Sequence, residues 1–222
     1  SYWEANACGE IYPAGDELRE RLAAVRQSRY GLEPYITQFA DFSTGRERDV
    51  LEVGVGMGCD HVEWARSAPR RLAGIDLTDR AIEFTRQHLA LFGLNSDLRR
   101  ADAEALPFAD ESFDIVYSWG VLHHSPDTAR AIDEVRRVVR PGGVARVMIY
   151  QRHSIVGYML WLRYALLAGR PDRSMDSVLA EHLESPGTKG YSAAEAKALF
   201  AGFENVAVRV QLNHADLLLG EV

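Results

Sequence analysis

Cysteine is nearly absent from this chain: 222 residues hold two, Cys8 and Cys59, with neither disulfide nor metal-ligand spacing. That scarcity excludes a disulfide scaffold and a cysteine-bound metal, no metal ion of any kind is expected, and a reducing, cytoplasmic compartment fits best. Clustered positive charge is missing too. Lys and Arg total 25 against 32 Asp and Glu, a net charge of −7, so a nucleic-acid partner, which needs grouped cations, is not expected. The N-terminus lacks a basic stretch followed by an apolar run, so no targeting segment is read there. Nor is there an uninterrupted apolar run of the roughly 20 residues needed to span a bilayer. The nearest candidate, IVGYMLWLRYALLA at 155–168, has Arg163 in its middle. It reads as a buried or cleft-covering helix, with lipid-surface or subunit docking as the alternative and no stable membrane insertion. Internal repeats and low-complexity tracts are also lacking.

What is present is enough apolar material, 47% of the residues, for one fully cored domain. From residue 49 short β-branched runs alternate with helical periodicity, the pattern of a parallel sheet covered on both faces. DVLEVGVG (49–56) reads as a strand, DHVEWARSA (60–68) as a helix opened by Asp60, and RLAGIDL (71–77) as a second strand. An amphipathic helix follows, with Ile82, Thr85, Leu89 and Phe92 on one face, Thr78 as N-cap and Gly93 as stop. SDLRRAD (96–102) and FDIVYSW (113–119) supply further strands. Asp127 caps a helix whose Ala129, Ile132, Val135 and Val139 face the sheet while Arg136, Arg137 and Arg140 stay wet. VARVMIY (144–150) is the fifth strand, AAEAKALFAGF (193–203) another helix, and NVAVRVQL (205–212) alternates as a sixth strand. The expected fold is therefore α/β and doubly wound, with six mostly parallel strands and helices on both faces. Within one domain spanning 1–222, residues 1–45 form a helical cap, 49–150 the ligand-binding core, 151–191 an insertion over the pocket, and 192–222 a closing helix and strand. Ten residues, NHADLLLGEV, follow the sixth strand.

The stretch LEVGVGMGCD (51–60) concentrates the functional signal. A strand, a glycine turn and a helix leave free backbone N–H groups at the positive end of a helix dipole. The spacing is G-x-G-x-G at Gly54, Gly56 and Gly58, whereas the dinucleotide fingerprint G-x-G-x-x-G would put a small residue where Cys59 stands. Glu52, two places earlier, would repel a pyrophosphate and suits an ammonium or sulfonium group. Asp76, at the end of the second strand, is placed to accept from the hydroxyls of a ribose. Taken alone, the glycines merely permit a tight turn, and both acids read equally as solvated strand ends. Together they point to a cationic nucleoside ligand.

These residues resemble the class I S-adenosylmethionine-dependent methyltransferases, whose Rossmann-like sheet usually ends in an antiparallel seventh strand, so the resemblance implies six to seven strands here and makes LLLGEV either the stub of the seventh or the mark of a chain cut short. LEVGVGMG is similar to that family's E/D-x-G-x-G-x-G motif, IDLT (75–78) to its ribose-binding strand end, ADAEALPFADESFDIVYSWGVLHH (101–124) to its adenine loop and fourth strand, and DEVRRVVRPGG (133–143) to the approach to its fifth strand. PF-x-D-x-SFD and VVRPGG place the resemblance nearest the ubiquinone- and menaquinone-biosynthesis-like enzymes that act on small molecules. It implies S-adenosyl-L-methionine as cofactor, with Gly54, Val55, Gly56 and Gly58 at the methionine part and Glu52 orienting the loop. It further implies that Asp76 holds the ribose, Leu77 packs on adenine, Asp102 and the backbone of Ala103 read the adenine edge, and Ser118 and Trp119 line the space beside the sulfonium. Methyl transfer to a small, partly apolar acceptor is the implied reaction, by a monomer or homodimer. A cofactor-binding protein that does not methylate, or an NAD-dependent oxidoreductase, are the alternatives.

Methyl transfer draws chiefly on alignment, so a base is optional. His123 and His124 follow the fourth strand at the rim where an acceptor should lie, and are the candidates for that base. Tyr150, Arg152 and His153 follow the fifth strand at the same rim, and Tyr30 joins them as an acceptor-binding candidate. Aromatic residues crowd the segments expected to cover the pocket: Tyr2, Trp3, Tyr12, Tyr30 and Tyr35 in one, Tyr158, Trp161 and Tyr164 in the other. Ordinary helix packing gives the same composition.

Overall fold

A computed structural model describes residues 18–213. Tyr2, Trp3, Cys8, Tyr12 and the terminal LLLGEV lie outside the described residues. Two helices, α1 (Leu18–Leu32) and α2 (Tyr35–Ala40), lead through a 3₁₀ turn at Phe42–Gly45 into the sheet. The core alternates β1 (Asp49–Val53), α3 (Cys59–Arg66), β2 (Arg71–Asp76), α4 (Asp79–Ala90), β3 (Asp97–Arg100), β4 (Phe113–Trp119), α5 (Thr128–Val138) and β5 (Val139–Met148). Beyond it come α6 (Ile155–Trp161), which runs on into a π turn at Leu162–Leu166, then α7 (Met175–His182) and α8 (Ala193–Leu199). The strand order is β3-β2-β1-β4-β5 and every pairing is parallel. The order reverses between β1 and β4, and open α/β sheets bind ligands at the carboxyl ends of the strands beside that point.

The three central strands, β1, β2 and β4, are buried on both faces, as in parallel sheets generally, while β3 and β5 are partly exposed. On one face Leu51, Val53, Ile75, Phe113 and Val116 pack against Ile132, Val135 and Val138 of α5. On the other, Val50, Leu72, Ile115 and Tyr117 meet Trp64 of α3 and Ala40 of α2. The buried positions of α5 are Thr128, Ala131, Ile132, Val135 and Val138. Ala129 is exposed, so the inward stripe lies slightly off the expected one. Two of the arginines expected to stay wet are engaged instead. Arg137 donates to the carbonyls of Leu106 and Phe108 and pairs with Glu134 and Asp110, tying down the loop before β4. Arg140 pairs with Asp49 and Asp114.

The sheet has five strands among the described residues, not the six to seven expected. Residues 205–212 keep their alternation, yet Val208, Val210 and Leu212 are exposed and the segment joins no strand. Alternation states which side each residue would face; it supplies no neighbour to pair with. The apolar segment 155–168 forms α6 and its π turn, with Ile155, Tyr158, Met159, Leu162, Leu166 and Leu167 all exposed. Among the described residues no helix is long and apolar enough to cross a membrane.

At the amino ends of the strands, away from the switch point, Asp49 accepts from Arg70 Nε and a second Arg70 nitrogen, each at 2.8 Å, and Arg140 approaches at 2.8 Å. The bonds from Arg70, then those from Arg140, outweigh the effect of burial and hold the Asp49 carboxyl down at about 2. An unfolded aspartate titrates near 3.9. Because the folded value is the lower one, this contribution is complete above about pH 4 and is lost as the pH falls towards 2. Asp49→Asn should therefore lower the urea midpoint at neutral pH, with the gap to the unsubstituted protein closing between about pH 4 and pH 2. A gap that stays constant over that range would contradict the assignment.

Candidate functional site

Three glycines follow β1 for three different reasons. Gly54 has φ 85°, and a Cβ there would stand 2.2 Å from Val121 Cγ2, so the loop after β4 leaves no room for a side chain. Gly56 has φ 50°, yet a Cβ there would meet nothing within 4 Å. Its backbone borders open space, which is what close approach by a ligand requires. Gly58 is the N-cap of α3 and offers no side-chain bond, so that helix begins without a side-chain cap. The bend is pinned from both sides: Gly56 N–H donates to Asp76 Oδ2 at 3.1 Å, and Thr85 Oγ1 donates to the Gly56 carbonyl at 3.1 Å.

Above this bend lies a cleft of about 330 Å³. Of the residues singled out from the sequence, Glu52, Gly54, Val55, Gly56, Asp76, Leu77, Asp102, Ala103, Trp119 and His124 line it. Asp76 stands at the end of β2, its other oxygen accepting from the amide and hydroxyl of Thr78 at 3.1 and 3.0 Å. Burial pushes its carboxyl upward, opposed by the donors from Gly56 and Thr78. Leu77 is 46% exposed, an apolar side chain facing the opening. Asp102 is exposed and turns its own loop by accepting from Glu104 N–H. The ring of Trp119 rests on Phe39 of α2, centroids 5.3 Å apart.

Gly58, Ser118, His123, Tyr30, Tyr150, Arg152 and His153 are not in the cleft lining. Ser118 is fully buried and donates to the Val53 carbonyl, joining β4 to β1. Tyr30 turns its hydroxyl to Asp60 at 2.8 Å. Arg152 binds the Gly190 carbonyl and pairs with Asp176 and Glu195, fastening the insertion to α8. His153 bonds the Tyr158 hydroxyl. The other insertion aromatics pack within it: Trp161 donates to the Arg173 carbonyl and Tyr164 stacks on His182 at 3.7 Å.

The back wall of the cleft is a buried polar network. Asp60, 3% exposed, accepts from Arg29 through two bonds of 2.9 and 2.6 Å and from the hydroxyls of Tyr30 and Tyr117 at 2.8 Å each. Burial opposes its ionisation, but the Arg29 charge and these donors prevail and keep it ionised. Next to it, His61 Nδ1 meets Glu52 Oε2 at 2.9 Å, and Nε2 meets Ser96 Oγ at 2.8 Å. Ser96 gives its own proton to the Leu72 carbonyl, so its oxygen accepts from Nε2–H. One proton is then shared between Glu52 and Nδ1. Burial, followed by the charges of Asp60 and Asp76, pushes Glu52 upward, while burial pulls His61 down to about 3. The proton therefore rests on the carboxyl and the pair is neutral. Arg29 and Asp60 both line the cleft. Arg29 carries no local sequence signal, since its partner lies 31 positions away.

At the opposite end, the 3₁₀ turn Leu122–His124 separates the two histidines. His123 is fully buried and neither ring nitrogen has a hydrogen-bond partner. Burial, with His124 and Lys189 adding to it, holds this ring neutral far below the ordinary histidine range. His124 faces the cleft, and its Nε2 lies 3.5 Å from Glu184 Oε2. Glu184 lies in the 151–191 insertion and was not singled out from the sequence. It also lines the cleft, receives the Tyr150 hydroxyl at 2.5 Å, and holds φ at 54°.

Residues 51–147 match the family model described as a methyltransferase domain. A phthiotriol/phenolphthiotriol dimycocerosates methyltransferase of Mycobacterium tuberculosis is 41% identical over 97 residues, 43% of this chain and 35% of that protein. An uncharacterised protein of the same organism is 35% identical over 111 residues, 50% of this chain and 40% of its own length. The chain thus spans about two fifths of the curated relatives it matches. Among solved structures, the YcgJ protein of Bacillus subtilis superposes with a TM-score of 0.56 at 24% identity, over 73% of this chain and 64% of that one. A SAM-dependent methyltransferase from Aquifex aeolicus gives 0.55 at 14% identity, over 85% and 88%. Both share the Rossmann-like α/β fold.

Removing the cation from the back wall should be costly, because it leaves a buried carboxylate uncompensated. Arg29→Met is expected to lower the unfolding free energy by about 3–5 kcal/mol in urea melts. Tyr30→Phe, which deletes one bond to the same carboxylate, should lower it by about 1.5–3 kcal/mol. Equal losses from the two substitutions would overturn this account of the network.

Proposed function

We propose that this chain transfers a methyl group from S-adenosyl-L-methionine to a small acceptor. The observation that carries the reading is the pairing of open space over Gly56 with the Asp76 carboxylate, anchored to that same residue's amide and standing in the same cleft. The methyltransferase-domain match over 51–147 covers both.

The amino acid part of the cofactor lies over the glycine bend, its carboxylate towards the uncapped start of α3, where the helix dipole favours negative charge. The neutral Glu52–His61 pair beside the bend presents no repulsion to that carboxylate, and it can ionise towards the ammonium. Asp76 receives the ribose, Leu77 covers one face of the adenine, and Asp102 with the backbone of Ala103 meets its edge. A pyrophosphate in the same place would face the Asp76 carboxylate with no free cation to offset it, since Arg29 is already paired with Asp60, which disfavours a dinucleotide.

The sulfonium is already an electrophile, so the protein's task is alignment. A nucleophile held in line at contact distance gains effective molarities on the order of 10⁵ M or more. As the acceptor's lone pair forms its bond to the methyl carbon, the carbon–sulfur pair returns to sulfur, leaving S-adenosylhomocysteine. The acceptor enters between Trp119 and the His124–Glu184 edge. That edge carries apolar surface from Val121 and Pro126 beside two groups able to engage a hydroxyl, which favours a partly apolar, hydroxylated acceptor. The small-molecule subgroup suggested by PF-x-D-x-SFD and VVRPGG agrees with this. So does the dimycocerosate named for the mycobacterial relative, and the exposed apolar face of α6 offers a long acceptor a surface to lie on.

Calorimetry with S-adenosylhomocysteine should give saturable heat for the unsubstituted protein. Asp76→Ala should weaken binding at least about tenfold, or about 1.4 kcal/mol, and should also lower the melting temperature, since the donors of Gly56 and Thr78 lose their acceptor. Labelled methyl transfer into a metabolite extract, read by mass spectrometry, would then identify the acceptor. Absence of any heat with the unsubstituted protein would sink the proposal.

A further inference from the structure

We propose that His123, His124 and Glu184 bind one divalent transition-metal cation of the zinc type at the acceptor end of the cleft. One ligand atom from each of the three side chains lies within 4.8 Å of the others. Two imidazoles and a carboxylate are a donor set that suits such ions, with a further position left open for a small molecule.

The separation of the His124–Glu184 pair is also that of two ligands on a shared ion. His124 Nε2 and Glu184 Oε2 are 3.5 Å apart, long for a hydrogen bond. Two ligands each about 2.0–2.1 Å from a tetrahedral zinc ion stand about 3.4 Å apart. Bringing in His123 closes the widest separation, up to 4.8 Å, by about 1.4 Å to reach that spacing.

The surroundings orient the ligands as metal sites require. His124 Nδ1 lies 2.9 Å from Ser185 Oγ and 3.1 Å from Thr188 Oγ1. Thr188 gives its proton to the Ser185 carbonyl. A consistent chain runs from Nδ1–H to Ser185 Oγ, from that hydroxyl to Thr188 Oγ1 at 3.1 Å, and on to the carbonyl. It leaves Nε2 with its lone pair towards Glu184. The carboxylate is braced in turn by the Tyr150 hydroxyl. Ligating imidazoles and carboxylates are held in this way by a second layer of bonds.

His123 provides the independent sign of a missing partner. Its ring is fully buried, and neither nitrogen meets a hydrogen-bonding group. Such an atom costs about 1–3 kcal/mol and calls for an explanation. A cation between His123 and His124 would take up the lone pair of one nitrogen. The expectation of no metal rested on cysteine spacing and could not have detected a site assembled from residues sixty positions apart.

Binding of the cation stands on these three side chains alone; its role rests on the methyl-transfer reading. With His124 and Glu184 lining the cleft, the open position faces the acceptor. A hydroxyl bound there would lose its proton to solvent more readily, and the resulting oxygen anion would attack the methyl carbon.

The test is a titration of the full chain with Co²⁺, after chelator treatment and removal of the chelator, read by visible absorption and followed by Zn²⁺ displacement. One saturable equivalent is expected, weakened at least about tenfold in both Glu184→Gln and His124→Asn. Glu184→Gln keeps the backbone and the length of the side chain, and S-adenosylhomocysteine calorimetry on it should match the unsubstituted protein, showing an intact fold. No saturable band in the unsubstituted protein, or undiminished affinity in the two variants, overturns the metal site. The calorimetry reports separately on the cofactor, so a protein that binds S-adenosylhomocysteine and no cobalt refutes this inference alone.

Discussion

The carboxylate of Asp60 is the charge on which the architecture converges. It lies in the first turn of α3, not at the helix start expected from the sequence, and its donors come from α1 through Arg29 and Tyr30 and from β4 through Tyr117. Cap, glycine loop and sheet are thereby fixed to one another at the switch point. A buried carboxylate with four donors is stable only as a complete set, because any missing donor exposes the cost of desolvation. The cleft's back wall is therefore rigid for the same reason that it is polar.

The two ends of the cleft obey different electrostatics. At the glycine end, the Glu52–His61 pair is neutral and the Asp60–Arg29 pair cancels, leaving the helix N-terminus and Asp76 to distinguish one part of a ligand from another. At the far end, His123 carries unmet bonding capacity and Glu184 a strained backbone. Stability is concentrated in the first region, while the second holds features that cost stability. That division suits the proposed methyl transfer, in which a cofactor is firmly held and an acceptor exchanges.

Much of the alternating core was legible in the sequence because it rests on local signals. Periodicity located β1, β2, β4 and the helices between them, and Thr78 and Asp127 cap their helices as their sequence positions suggest. The acids at strand ends and the glycine spacing located one wall of the cleft. The rest depends on contacts between distant residues. Arg29 was silent because its meaning lies in Asp60, and Glu184 because a turn-rich loop does not say where it lands. The adjacent histidines were both read as rim residues, but a 3₁₀ turn points neighbours about 120° apart, which sends His123 inward and His124 to the cleft. For 205–212 the alternation was real and the missing element was a partner strand.

The strained backbone at Glu184 makes that position hard to vary. Glycine and asparagine adopt a positive φ with least penalty, so either replacement should relieve the local conformation. Neither carries a carboxylate. Aspartate tolerates the conformation and keeps the charge, but it is one methylene shorter, and its oxygens would stop short of His124 and Tyr150. Whatever favours the fold at this residue thus works against the chemistry at the mouth of the cleft. A search for more thermostable variants should recover replacements here early, and those variants should be the ones that lose function.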